Sequence, residues 1–372
     1  MKRGRIKISK KVIVAMSGGV DSSVAAALLK KAGVDVVGVF MKFWAPPSRI
    51  YTNLNTNLHE FENRCCSHEA ESRARKVAKI LKIPFYVFNF EKEFKKRVVN
   101  YFLREYKAGI TPNPCVVCNK EIKFGLLLEK ALKLDADFIA TGHYARKQKI
   151  ENRKQKIEYR LLSAKDKEKD QSYFLWQLNQ KQLRHILFPV GDYTRKEVEN
   201  LARKFKLPVL KAKKSVEVCF IKTTTNHFLE RYLKEKPGDI VDTTGKVIGR
   251  HQGLWFYTVG QRKGIGLPGG PYWVLDKNLK KNILVVTNNE KDLYRKHLIC
   301  KNINWISGKE PKLPLIVKAK IRYRHQSATA VISRLKFKVY SLKFKVAQRA
   351  ITPGQSVVFY NREELLGGGI IS

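Results

Sequence analysis

The sequence predicts an α/β chain: a parallel-sheet domain, then a small central domain, then an all-β C-terminal barrel. Three observations predict it. Short apolar strands alternate with helical stretches as far as Thr141. A Ser17-Gly18-Gly19 turn joins the first strand to the first helix. From about residue 282 the pattern changes to short β segments separated by turns.

Taken in order, residues 11–16 (KVIVAM) read as a short buried strand and 21–31 as an Ala/Leu-rich helix with Gly33 as its stop. Residues 34–43 form a second strand, 67–81 carry helical periodicity and 84–90 are strand-like. Residues 120–134 are helical and 137–141 make a further strand. Strands alternating with helices build βαβ units and hence a parallel sheet. Residues 45–64 hold Pro46-Pro47 and many Asn and Thr, which predicts a long loop over the site. Residues 146–160 predict a charged, solvated hairpin, 183–207 a helix, and 211–222 a loop carrying Cys219. Gly-rich turns follow at 259–270, then β segments at 284–286, 316–324, 328–332 and 356–360, as in a small barrel or sandwich. A near-repeat, LKFKV at 335–339 and again at 342–346, fits the two strands of a basic hairpin. The expected domains are 1–215, 216–283 and 284–372.

Lys and Arg total 74 against 32 Asp and Glu, a net charge of +42. Such a field attracts polyanions, nucleic acid above all. No run approaches the roughly 18 apolar residues of a membrane span, and the basic N-terminus lacks a secretory cleavage pattern. The expectation is a cytoplasmic protein without a membrane partner. Six cysteines, Cys65, Cys66, Cys115, Cys118, Cys219 and Cys300, suit sulfur, metal or redox chemistry in such a chain better than a disulfide scaffold.

The string Ser17-Gly18-Gly19-Val20-Asp21-Ser22-Ser23 lies between a strand and a helix. Its glycines allow close backbone approach to a ligand. Its amides and the helix N-terminus make an anion nest. Asp21 would repel phosphate, so a magnesium ion between them reconciles the two. The loop lacks the Gly-Lys-Ser/Thr ending of a Walker A loop. Cys115 and Cys118 stand at a helix start, where thiols become thiolates. A zinc site completed by Cys65-Cys66, or plain burial of Cys219, is also compatible with the residues.

The loop resembles the SGGxDS PP-loop of enzymes with an adenine nucleotide α-hydrolase-like fold, which split ATP between its α and β phosphates. Further strings follow in one order. They are Cys65-Cys66-Ser67, the run from Asn113 through Phe124, Ala140-Thr141-Gly142-His143-Tyr144, Lys169-Asp170-Gln171-Ser172-Tyr173, Glu217-Val218-Cys219-Phe220, His251-Gln252-Gly253, Thr258-Val259-Gly260-Gln261-Arg262 and Thr352-Pro353-Gly354-Gln355. From about residue 11 to the C-terminus the chain resembles the tRNA-specific 2-thiouridylase family.

That resemblance implies ATP-dependent 2-thiolation of a wobble uridine in tRNA, through adenylation of the C2 oxygen and sulfur transfer from a cysteine persulfide. It implies ATP on Ala15, Met16, Ser17, Gly18, Gly19, Val20, Asp21, Ser22, Met41 and Gly142, with magnesium held indirectly by Asp21. Cys118 and Cys219 match the catalytic cysteines, Cys219 bearing the persulfide. Asn113, Pro114 and Cys115 match positions that touch the target base. His143, Lys169, Asp170, Gln171, Arg322, Tyr323 and Gln355 match positions that meet tRNA. The sulfur comes from a donor protein, a cysteine desulfurase or a relay protein. Many family members carry Asp where this chain has Cys115, so a carboxylate base is replaced there by a thiol. Two routes then fit: a Cys219 persulfide resolved by Cys118, or an iron–sulfur cluster on Cys115, Cys118 and Cys219. A small-molecule adenylating ligase and a non-catalytic RNA-binding protein are the rival readings; the basic β region opposes the first and the intact Asp21 the second.

The +42 charge predicts tRNA binding dominated by phosphate contacts. The logarithm of affinity, measured by filter binding, is expected to fall steeply and linearly with the logarithm of salt concentration. A flat line would make the charge irrelevant to tRNA.

Overall fold

The computed structural model describes residues 10–46, 67–151, 155, 157–210, 218–221 and 223–372. The chain divides into two compact units, Met1–Arg97 with Val117–Lys222, and Val98–Val116 with Thr223–Ser372.

The first unit is built on a parallel sheet. Its strands are β1 (Lys11–Ala15), β2 (Asp35–Lys42), β3 (Phe85–Asn89), β4 (Phe138–Ala140) and, after the antiparallel hairpin of β5 (Ala145–Glu151) and β6 (Ile157–Ser163), which is not part of this sheet, β7 (Ile186–Leu187). Their order is β3-β2-β1-β4-β7, every pair parallel. β1 lies at the centre with Val12, Ile13 and Val14 buried, as a strand covered on both faces requires. The helix α1 (Val20–Lys31) packs Val24, Ala25, Ala26 and Ala27 into this core. The small side chains let its backbone lie close to the sheet. The helix α2 (His68–Leu81) starts at Ser67, whose hydroxyl accepts a hydrogen bond from Ala70 N at 3.2 Å, and stops at Lys82 with φ +51°. These elements match the sequence expectation to within a residue or two at each end.

One expected helix does not exist as such. Residues 183–207 break into the end of a helix Gln180–Arg184, the strand β7, and a second helix Arg195–Lys204. Pro189 interrupts the pattern, since it has no N–H to donate. At Gly191 a Cβ would stand 1.8 Å from Ala145 O, so only glycine fits there. The second helix begins afresh with a reciprocal cap between Thr194 and Glu197. Most of the long loop expected at 45–64 lies outside the described residues, as does most of the loop before Cys219.

The second unit holds two β assemblies. The smaller has β8 (Gly238–Val241), β9 (Val247–His251), β10 (Trp273–Asn278) and β11 (Ile283–Thr287) in the order β10-β11-β8-β9. The larger has β12 (Tyr294–Trp305), β13 (Leu315–Lys320), β14 (Ala328–Lys336), β15 (Val339–Arg349), β16 (Ser356–Asn361) and β17 (Glu364–Ile371). These run β12-β15-β14-β13-β16-β17, and β12 pairs antiparallel with β17 to close the barrel, around Trp305, Phe344, Phe359 and neighbouring aliphatics. A hairpin forms at β14–β15, but the two LKFKV copies are not its two strands. The first, 335–339, spans the end of β14, the turn and the start of β15; the second, 342–346, lies within β15; and Phe337, 81% exposed, is at the tip beside Lys336 and Lys338.

Candidate functional site

The loop from Ser17 to Ser23 leaves β1 and enters α1. Gly18 adopts φ +71°, and a Cβ there would stand 2.1 Å from Ala70 O. Glycine is required both by the backbone angle and by the approach of α2. Gly19 caps α1, and its carbonyl accepts the Ser23 hydroxyl at 2.8 Å and the Ser22 hydroxyl at 3.2 Å. Ser17 N donates to Ser22 Oγ at 3.2 Å, closing the loop on itself. Arg73 Nε donates to Gly18 O at 3.2 Å. Across the loop sits Gly142, just beyond β4. A Cβ on it would meet Ser22 N at 2.5 Å and the Asp21 carbonyl carbon at 2.7 Å. Bare backbone thus faces bare backbone at the α1 N-terminus, where a helix favours anions.

Asp21 is held from two sides. The Tyr144 hydroxyl donates to its Oδ1 at 2.8 Å, and Arg195 Nη1 donates to the same oxygen at 2.5 Å. Arg195 also donates to Glu199 at 2.8 Å. Burial pushes the Tyr144 hydroxyl above its ordinary pKa, and the Asp21 charge pushes it further, so it remains a donor. Burial alone would lower the Arg195 pKa; the Asp21 charge and the Glu199 bond outweigh it and raise it. Asp21 therefore meets a guanidinium in the protein itself. Among the described residues no group of three or more His, Cys, Asp or Glu side chains gathers to hold a metal.

The structure gives the other sequence-expected residues definite places. Gln171 accepts from Tyr144 N at 3.0 Å and donates its own N–H to Tyr144 O at 2.8 Å. It fixes the residue that holds Asp21. Asp170 is buried, and its carboxylate accepts from Ala164 N at 3.0 Å and from Ser172 Oγ at 2.8 Å. Lys169 is half-buried in the same turn. Ala15 and Met16 are buried at the end of the central strand, and Met41 is half-buried on β2 opposite Phe88. Cys118, buried, and Cys219, half-buried, belong to the same unit as the phosphate loop. Phe220, beside Cys219, packs edge-on to Phe94 with ring centroids 5.8 Å apart. Cys115 is exposed on the short helix Pro114–Cys118 and groups with the second unit, as do Asn113 and the buried Pro114. Arg322 and the half-buried Tyr323 follow β13, and Arg322 Nη2 donates to Arg349 O at 2.6 Å. Gln355 donates through Nε2 to Thr111 O at 3.0 Å and Pro112 O at 3.2 Å.

Three contributors have no role in the sequence reading: Tyr144, Arg195 and Arg73. Tyr144 lies inside a recognised string, so proximity to Gly142 was its available signal. Arg195 lies 174 residues from Asp21 and carries no local signature.

Three family models cover nearly the whole chain. They are a tRNA methyl transferase HUP domain at residues 10–223, a tRNA methyl transferase PRC-barrel domain at 226–288, and an aminomethyltransferase beta-barrel domain at 295–371. The chain is 46% identical to tRNA-specific 2-thiouridylase MnmA 2 of Thermoanaerobacter sp. (strain X514), over 98% of this chain and 99% of that one. It is 46% identical to tRNA-specific 2-thiouridylase MnmA of Clostridium perfringens (strain 13 / Type A), over 97% and 98%, and 44% identical to that of Clostridioides difficile (strain 630), over 98% of each.

Two predictions follow from this geometry. Gly142→Ala forces the loop away from Gly142, and ATP affinity measured by calorimetry is expected to fall about tenfold or more, as tight backbone sites require; unchanged affinity would separate Gly142 from the nucleotide. The second concerns His143, whose ring packs on Phe124 and Phe188 at 5.6 and 6.4 Å and bonds Thr141 Oγ1 at 2.8 Å. Burial, then the Lys123 charge, holds its pKa well below 6.5. The unfolded chain takes up that proton first. Stability is therefore full above about pH 6.5 and declines below it, by up to about 1.4 kcal/mol per pH unit. In urea unfolding at successive pH values, His143→Asn is expected to flatten the acid-side decline; an unchanged slope would contradict the assignment.

Proposed function

Because this chain belongs to the tRNA-specific 2-thiouridylase family, we propose that it replaces the C2 oxygen of the wobble uridine in tRNA with sulfur, at the expense of ATP. The observation that carries this reading is the 46% identity over 98% of the chain to an enzyme of that name. The glycine-lined loop supports it, since such a loop suits a triphosphate and lacks the Walker lysine.

In this reading the uridine O2 attacks the α-phosphate and pyrophosphate leaves. The chain holds the nucleotide through the amides of Ser17 to Ser22 and the α1 N-terminus. Arg195 and Tyr144 hold Asp21 in place, so that its carboxylate does not swing onto the phosphates. Magnesium arrives on the ATP oxygens as part of the substrate. Adenylation converts a poor oxygen leaving group at C2 into AMP. The terminal sulfur of a Cys219 persulfide attacks C2 and AMP departs. The Cys118 thiolate then attacks the Cys219 sulfur, which frees the thiocarbonyl sulfur and leaves a Cys118–Cys219 disulfide. The two electrons that reduce the transferred sulfur come from the two thiols, and a sulfur donor protein restores the persulfide after reduction. Splitting one substitution into covalent steps lowers each barrier, and the target base leaves its stack to reach the cysteines.

Residues 1–215 carry activation and, together with Cys219, sulfur transfer, while 216–283 and 284–372 hold tRNA. In this reading the activity is cytoplasmic. Cys115 acts beside the target base as a thiol, not as a cluster ligand.

Cys219→Ser separates the two halves of the reaction. With tRNA and labelled ATP the variant is expected to release AMP and pyrophosphate but form no 2-thiouridine by nucleoside mass spectrometry. Normal 2-thiouridine from that variant would remove Cys219 from the mechanism, and ADP as the main product would remove adenylation.

A further inference from the structure

The strap that leads to Cys115 is short of backbone donors. Pro112 and Pro114 have no N–H, so residues 111–114 can donate few bonds of their own to fix their path. The structure anchors them from the C-terminal part of the same unit. Gln355 directs both N–H groups of one amide at successive carbonyls, Thr111 O at 3.0 Å and Pro112 O at 3.2 Å. Thr111 N donates to Pro353 O at 3.1 Å, and the Thr111 and Thr258 hydroxyls meet at 3.3 Å. Gly354, at φ +89°, has no room for a side chain: a Cβ would stand 2.1 Å from Ile110 Cγ2 and 2.8 Å from Thr111 O. The loop that does this is itself fixed to the barrel. Gly354 N donates to Ile371 O, and Ile371 N to Gln355 O, both at 2.9 Å.

We propose that Gln355 is a positioning residue: its amide, with Gly354 pressed against Ile110, sets the path of residues 111–114 and so the place at which Asn113 and Cys115 meet the target uridine. The family resemblance makes Gln355 a position that meets tRNA. Yet both of its N–H donors are committed to the strap, which leaves none for RNA. An amide suits the task because one NH2 group carries two donors; a carboxylate carries none and would face two carbonyl dipoles.

This inference rests on the thiolation reading, and its test keeps the two apart. In the full chain, Gln355→Glu is expected to slow 2-thiouridine formation at saturating tRNA by about tenfold or more, the order expected for a misplaced reacting group. The tRNA dissociation constant stays within about threefold, since no phosphate contact is lost. Hydrogen exchange at residues 110–116 quickens whether or not tRNA is present. Gln355→Ala, which adds no charge, carries the same signature in weaker form and serves if the Glu form does not fold. A large rise in the tRNA dissociation constant with an unchanged saturating rate would make Gln355 an RNA contact and overturn the proposal. Unchanged exchange in both variants would overturn the clamp itself. If the wild-type chain forms no 2-thiouridine, the thiolation reading fails and with it the catalytic meaning of the clamp, while the exchange result still judges the contact.

Discussion

Backbone packed on backbone at two glycines is the constraint on which the nucleotide loop depends. At Gly18 the loop leaves no space before Ala70 O, and at Gly142 the chain after β4 leaves none before Asp21 and Ser22. A methyl group at either place would force apart elements that the core holds together. The core itself is arranged to permit that closeness. α1 presents alanines to the sheet, and β1 is buried on both faces. The loop amides are thereby fixed in direction before any ligand arrives, which is what a preorganised anion site needs. The same closeness brings Tyr144 and Arg195 to Asp21, so the acid at the helix start is restrained and its charge is met.

The second unit applies the same device to a different end. A glycine with positive φ, Gly354, lets one loop lie against Ile110 and Thr111, and an amide beside it takes up carbonyls that proline-rich chain cannot satisfy from within. Buried or half-buried carbonyls are costly when unmet, so the strap and the barrel loop stabilise each other. The segment 98–116 therefore groups with residues 223–372 although it lies far earlier in the chain.

Much of this was legible in the sequence. Alternating strands and helices gave the parallel sheet and the Ser-Gly-Gly string gave the tight turn from β1 into α1, while the LKFKV pair pointed to the right region but to the wrong strands, since its first copy spans the β14–β15 turn. These are local signals, set by periodicity and backbone freedom. What was not legible depends on distant partners. The apolar spacing of residues 183–207 suits a helix, and only Pro189 and the contact of Gly191 with Ala145 O show why the chain breaks. Arg195 and Tyr144 reach Asp21 across 174 and 123 residues. The guanidinium that meets Asp21 has no trace in the local sequence. The buried bonds of Asp170 and the strap contacts of Gln355 were likewise invisible, since a polar residue reads the same whether it faces solvent or backbone.

The account assigns the chemistry to activation of the uridine oxygen, with sulfur only as the later nucleophile. The most direct measurement follows that oxygen. A tRNA carrying oxygen-18 at C2 of the target uridine is incubated with the protein, ATP and a persulfide donor, and the products are weighed by mass spectrometry. The account predicts the label in the phosphate of AMP, none in pyrophosphate, and one 2-thiouridine per labelled AMP. Label released to water or inorganic phosphate, with unlabelled AMP, would contradict it.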